Sequence, residues 1–346
     1  MTTPYQQHGA APLPPQAPPQ GGPPPAAPPH AQDPQQAPGG YAHGEHRSGH
    51  AQGGQQHGHQ PGPGGHGMGY HSPMPVRRTH IGHALASEWT KIRTVRSTMW
   101  TLGIMFALVV GIGLLTAVGL SGSDETQTPL LSGGFFGLML GQICIITLGV
   151  LVVTSEYGTG MIRTTLTACP SRGRVFAAKA IIFFLLSFVM TTVATGLTAL
   201  INSSMLGGRP PSEFAAIPKE SIEAGKVIAT SSEWLGATVG AGLYVALLGL
   251  LSLAVGGILR HSAGAITAML GVVLLPLLLA LFMSSESLED VREALVEYSP
   301  LNGLASLYRI PMDGGNGTGW DLLWILAGAT AAALAAAFAL LEKRDV

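Results

Sequence analysis

The stretch T-S-E-Y-G-T-G-M-I-R-T-T-L-T-A-C-P-S-R-G-R-V-F-A-A-K, from Thr154 to Lys179, is the only sizeable break between two long apolar runs, and it holds Glu156, Arg163, Arg172, Arg174 and Lys179. It is short, polar and basic. Thr159 is placed to cap a short helix from Gly160 to about Ala168, because its hydroxyl can accept a bond from an unpaired N–H of the first turn. Pro170 disfavours helical geometry at Cys169 and so ends that helix. Glu156 then lies toward the positive end of the helix dipole and Arg172 toward the negative end. The expectation is a small, well-terminated helix between two hydrophobic rods.

Outward from this stretch, the chain after position 98 is a succession of nearly uncharged apolar runs: Met99–Leu120, Gly133–Val153, Val175–Leu200, Leu235–Leu259, Ala263–Met283 and Leu322–Leu341. Each has 20 or more residues, and about 20 are needed to cross a hydrocarbon core of about 30 Å. The expected fold class is all-α, a polytopic membrane protein with six transmembrane helices. Lys179 is the one charge inside a run, near its start, where it is placed to snorkel to the interface. Pro276 interrupts the fifth run and should kink it. Residues 284–319 form a long acidic segment with helical spacing at Leu288, Val291, Leu295 and Val296.

Before the first run, Ile81, Leu85, Trp89 and Ile92 recur at helical steps and share one face, while Glu88, Lys91 and Arg93 lie elsewhere on the circumference. With Arg96 following, this reads as an interfacial elbow helix with Trp89 near the headgroup boundary. Residues 1–76 are the opposite in kind: they carry 17 of the 25 prolines and nine of the 12 histidines, with only Asp33, Glu45 and Arg47 as formal charges. Such a composition cannot bury enough apolar area to offset its ordering entropy, so a disordered cytoplasmic tail is expected over 1–76 and the membrane domain over 77–346. The histidine spacing is irregular and no Cys or carboxylate joins it, which favours low-complexity composition over a metal site. No signal peptide is visible, and the two cysteines, Cys144 and Cys169, suggest neither a bridge nor a zinc site.

Lys and Arg placement orients the chain. With the N-terminus inside, the inner segments from Arg77 onward hold twelve basic residues and the outer loops five, Arg209, Lys219, Lys226, Arg292 and Arg309, which predicts a multi-pass plasma-membrane protein with both termini cytoplasmic. In the second run Gly133, Gly137, Gly141 and Gly149 recur at multiples of four and leave a face with little side-chain bulk, suited to packing within the chain or at a dimer interface. Gln142 is the most polar side chain deep in that run, and Thr191, Thr192, Thr195 and Thr198 line the next, where hydroxyls commonly bond back to their own helix.

The run E-Y-G-T-G-M-I-R-T-T-L, followed by P-S-R and Lys179, resembles the cytoplasmic coupling segment of permease subunits in type-2 ATP-binding-cassette exporters. Glu156, Tyr157, Gly158, Thr159, Leu166, Pro170, Arg172 and Lys179 occupy the family's acidic, aromatic, Gly-Thr, apolar, Pro-x-Arg and Lys places. The elbow sequence S-E-W-T-K-I-R-T-V-R-S-T is similar to that of actinobacterial relatives, and the resemblance covers roughly Thr79 to Val346. It implies that Glu156, Tyr157, Thr159, Met161, Ile162, Arg163, Thr165 and Leu166 form the contact surface for an ATPase subunit, with Arg172 and Lys179 anchoring the return to the membrane. It also implies a second permease copy, identical or related, and ATP and Mg bound by the partner rather than by this chain.

What is missing agrees with that division. There is no G-x-x-x-x-G-K-[ST], no H-E-x-x-H, no G-x-S-x-G and no carboxylate pair within an apolar run, so no catalytic residue, cofactor or metal is expected in the chain and nothing indicates nucleic acid. A proton- or sodium-coupled carrier usually keeps an ionisable residue near the midplane. The expected function is therefore an exporter permease powered from outside the chain. A secondary transporter and a non-transporting membrane scaffold are the alternatives.

Overall fold

The computed structural model describes residues 80–161, 172–213, 215, 217–310, 312, 315 and 317–343. The tail 1–76, Arg77, Arg78, Cys169 and, within the coupling segment, Ile162, Arg163, Thr165, Leu166 and Pro170 lie outside the described residues.

Nine helices are named here among the described residues: α1 (Ile81–Thr94), α2 (Arg96–Ser121), α3 (Gly133–Gly158), α4 (Arg172–Leu206), α5 (Ser231–Leu259), α6 (Ser262–Phe282), α7 (Glu289–Glu297), α8 (Pro300–Leu307) and α9 (Trp320–Lys343). Six of them, α2 to α6 and α9, are long and apolar enough to span a bilayer. α5 includes a π turn over Gly236–Gly240, and α6 continues past Pro276. Among the described residues the extended structure is one isolated bridge, Thr126 to Pro211, and a short hairpin, Ile222–Glu223 against Lys226–Val227, whose turn residues Ala224 and Gly225 both take positive φ as a tight hairpin requires.

The helices outrun the apolar runs that announce them. Hydropathy ends where charge begins, whereas a helix ends where its backbone is diverted. α4 starts at Arg172 and has 35 residues, about 52 Å at 1.5 Å per residue, so several turns stand beyond a hydrocarbon core of about 30 Å. α3 continues past Val153 to Gly158.

α3 and α5 are the enclosed spans, 56% and 67% buried against 22–33% for the other four. The small residues of α3 allow this. A Cβ on Gly137 would stand 2.6 Å from the Val109 carbonyl oxygen of α2, and one on Gly149 would stand 2.5 Å from the Gly249 carbonyl oxygen of α5. Gly141 faces Val109 and Met105, and Gly133 faces Thr116 and Asn202. The glycine face therefore lies against helices of the same chain. The hydroxyls of Thr195 and Thr198 donate to their own helix, at Thr191 and Ala194, while Gln142 Oε1 and the hydroxyls of Thr191 and Thr192 are buried without a hydrogen bond among the described residues.

At the end of the bundle that holds the α2–α3 connection, the Arg209 guanidinium donates to the carbonyls of Leu120, Ser121 and Ser123 at 2.8–3.1 Å and to Met205 at 3.2 Å. It thereby satisfies carbonyls that the last turns of α2 and α4 leave open. Thr230 and Glu233 form a reciprocal capping box at the start of α5, and Ser299 caps α8 through Asn302 N–H at 3.0 Å.

Candidate functional site

Local backbone chemistry first decides where α3 stops. Gly160 has φ +71, and a glycine in the left-handed region just past the last turn is a common helix terminator because no Cβ opposes it. Its N–H donates to Tyr157 O at 3.2 Å and that of Thr159 to Ser155 O at 3.1 Å. The Thr159 hydroxyl donates to Ser155 O at 2.8 Å. Thr159 thus closes α3, and because Gly160 takes the left-handed region the following helix does not begin at Gly160 as the sequence expects; residues 162–168 of that expected helix lie outside the described residues. The chain is helical again at Met161.

This moves Glu156 into the last turn of α3, where it is buried. A carboxylate there is on the unfavourable end of the α3 dipole and out of water, so it needs compensation. Lys179 supplies it from α4 at 2.9 Å, and Lys91 from α1 at 3.0 Å. The same two lysines hold Glu88 of α1, Lys179 at 2.7 Å and Lys91 at 2.7 Å. Glu88, Lys91, Glu156 and Lys179 therefore close into a ring of alternating charge with no net charge, joining three helices. Burial pushes the Lys91 ammonium down, but the hydrogen bonds and charges of Glu88 and Glu156 outweigh it and hold the group above the ordinary lysine range.

The ring corrects one further expectation and shows how α1 packs. Lys179 does not snorkel, because carboxylates reach it where it stands; its side chain is 6% exposed. On α1 the inward residues are Glu88 and Ile92, whereas Ile81 and Trp89 are exposed. The helix turns a charge inward because two lysines meet it there. Leu85 is half-buried, and Arg93 and Arg96 face out.

Beside the ring lies a cavity of about 20 Å³ lined by Glu156, Tyr157, Arg172, Phe176, Lys179 and Leu341 among others, room for one water molecule. Arg172 Nη1 donates to Leu341 O of α9 at 3.3 Å. The Arg260 guanidinium carbon stands 5.0 Å from the Tyr157 ring centroid, within cation–π range. Arg260 and His261 alone connect α5 to α6; Arg260 has φ +54, and His261 Nδ1 accepts from Gly264 N at 3.1 Å. Arg260 is the participant that sequence reasoning missed. Its charge beside a glycine-free two-residue connection was the available signal. Glu156, Tyr157, Arg172 and Lys179 are thus brought together, while Gly158, Thr159 and Met161 are exposed at the tip.

Residues 84–255 match the family of ABC-2 family transporter proteins. The ABC-2 match runs from α1 into α5 and takes in the whole charge ring. With six apolar helices, it supports an ABC-type permease: a multi-pass membrane component without a nucleotide-binding motif of its own. No curated protein matches the chain significantly.

Proposed function

We propose that the chain is the permease subunit of an ATP-binding-cassette exporter, driven by a separate ATPase subunit that docks on the segment from Glu156 to Leu166. The observation that carries this reading is the charge ring within the ABC-2 match, which ties the helices on both sides of that segment to the elbow helix. A push on an isolated loop would dissipate in the loop. Here the end of α3 and the start of α4 are joined through Glu156 and Lys179, so displacement of the segment is passed to two spans as a rigid-body motion. Such a motion does work only if the docked contacts differ in free energy between the two states.

Composition and the placement of charge along the sequence support the rest of the reading. The ring end faces the cytoplasm, with both termini on that side and the chain in the plasma membrane, in keeping with the excess of Lys and Arg there. Residues 1–76 form a separate tail and 77–346 the membrane domain. Two permease copies, identical or related, and two ATPase subunits make up the transporter, with ATP and Mg held by the ATPases. Among the described residues no Asp, Glu, Lys or Arg sits in the middle of a span, which favours an external energy source over ion coupling.

The test is association. Purified from its native membrane, the chain should bring with it a P-loop ATPase whose hydrolysis of MgATP is measurable in the complex. Arg163→Glu should abolish that association while membrane insertion stays normal. Full association of the variant at normal expression removes the segment from the mechanism.

A further inference from the structure

The corner between α1 and α2 carries a second arrangement that the coupling reading does not use. Trp89 and Arg93 are four residues apart on α1; Arg96 and Trp100 are four residues apart on α2. The order Trp-x-x-x-Arg-x-x-Arg-x-x-x-Trp is thus symmetric about a bend. Val95 makes the bend with extended backbone, φ −79 and ψ 107. The inward faces are fixed elsewhere, by Glu88 and Ile92 on α1 and by Thr98 and Leu102 on α2. Trp100 falls about opposite Thr98 and Leu102 at 100° per residue and is 72% exposed; Trp89 is 48% exposed.

Both guanidiniums are exposed, and among the described residues neither has an ion pair or hydrogen bond partner. Their backbones are three residues apart, no more than about 11 Å of extended chain, so two side chains of arginine length can converge on one anionic group. The surroundings are apolar: Val95, Met99 and Ile104 are exposed and continue into the outer face of α2. A site for a protein partner would need these residues out of the membrane. Their continuity with a spanning helix places them at its surface instead. Tryptophan sits preferentially at the headgroup level, and guanidinium binds phosphate through paired N–H donors.

We propose that this corner binds the headgroup of an anionic phospholipid, with the phosphodiester between Arg93 and Arg96 and the acyl chains along Trp100 and Ile104. The site fixes the entry of α2 by lipid chemistry, independently of any ATPase, and so stands whether or not the coupling reading does.

The experiment uses the full chain in phosphatidylcholine nanodiscs, with Trp234→Phe, Trp320→Phe and Trp324→Phe so that Trp89 and Trp100 alone fluoresce. Brominated phosphatidylglycerol should quench them at roughly thirtyfold lower mole fraction than brominated phosphatidylcholine, the order expected for two basic residues at an anionic surface. Arg93→Gln with Arg96→Gln should erase the preference. Arg93→Lys with Arg96→Lys, which keeps the charge should the glutamine variant fail to insert, should retain a preference that high salt removes. Equal quenching by the two lipids in the parent chain overturns the proposal. So does a lysine variant whose preference ignores salt, or a glutamine variant that keeps the lipid preference but loses its ATPase, which would make the patch a protein contact.

Discussion

Lys179 Nζ stands 2.7 Å from Glu88 Oε2, although 91 residues separate them. The contact joins the elbow helix to α4 through a side chain that sits inside an apolar run, and it is one edge of a closed ring whose other members are Lys91 and Glu156.

Removing one member of a buried ion pair is costlier than removing both, because the survivor keeps its desolvation penalty. Lys179→Met should therefore destabilise the chain by about 3–5 kcal/mol, read as a lower thermal midpoint in detergent. Adding Glu156→Gln should recover part of the loss, since Lys91 then balances Glu88 alone. A single variant that melts with the wild type would show that the ring contributes nothing to stability.

Helix packing gives a second expectation. Gly137→Ala sets a methyl against the Val109 backbone, which cannot rotate away, and should cost about 1–3 kcal/mol. Gly111→Ala has nothing within 4 Å of the new methyl and should be neutral or stabilising, because alanine is the better helix former. Thermal unfolding of the two variants side by side decides it, and equal midpoints would mean that α2 and α3 do not approach as described.

A third expectation concerns orientation and rests on the proposed function. Cys169 lies in a basic stretch with Arg172 and Arg174 close in sequence, which favours thiolate, whereas Cys144 is half-buried in α3. A membrane-impermeant maleimide should label inverted vesicles at Cys169 and leave intact spheroplasts unlabelled, and the cognate ATPase should slow the reaction. Spheroplasts that label as fast as inverted vesicles would invert the topology.

The six spans were legible because apolar runs of this length have one use. Their ends were not, since Glu156 and Arg172 look like loop residues until the partners that stabilise them in helices are known. Those partners are distant in sequence: Glu156 meets Lys91 from 65 residues away. Helical periodicity on α1 set Glu88 off the apolar face without naming its partners, because a pattern of apolar residues has no means of registering a compensated charge. Thr159 illustrates a local ambiguity. In G-T-G the threonine can serve the helix before it or after it, and the left-handed Gly160 decides for the former.

Arg209 and the charge ring pin opposite ends of the same rods. Arg209 fastens α2 to α4 at one end; Lys179 fastens α4 to α1 and α3 at the other. The first half of the chain is therefore triangulated like a braced frame. Hinges within it would have to break charge-assisted bonds, so on the proposed function a passage is reshaped by the remaining spans, of which α6 and α9 are only 22% buried within the chain.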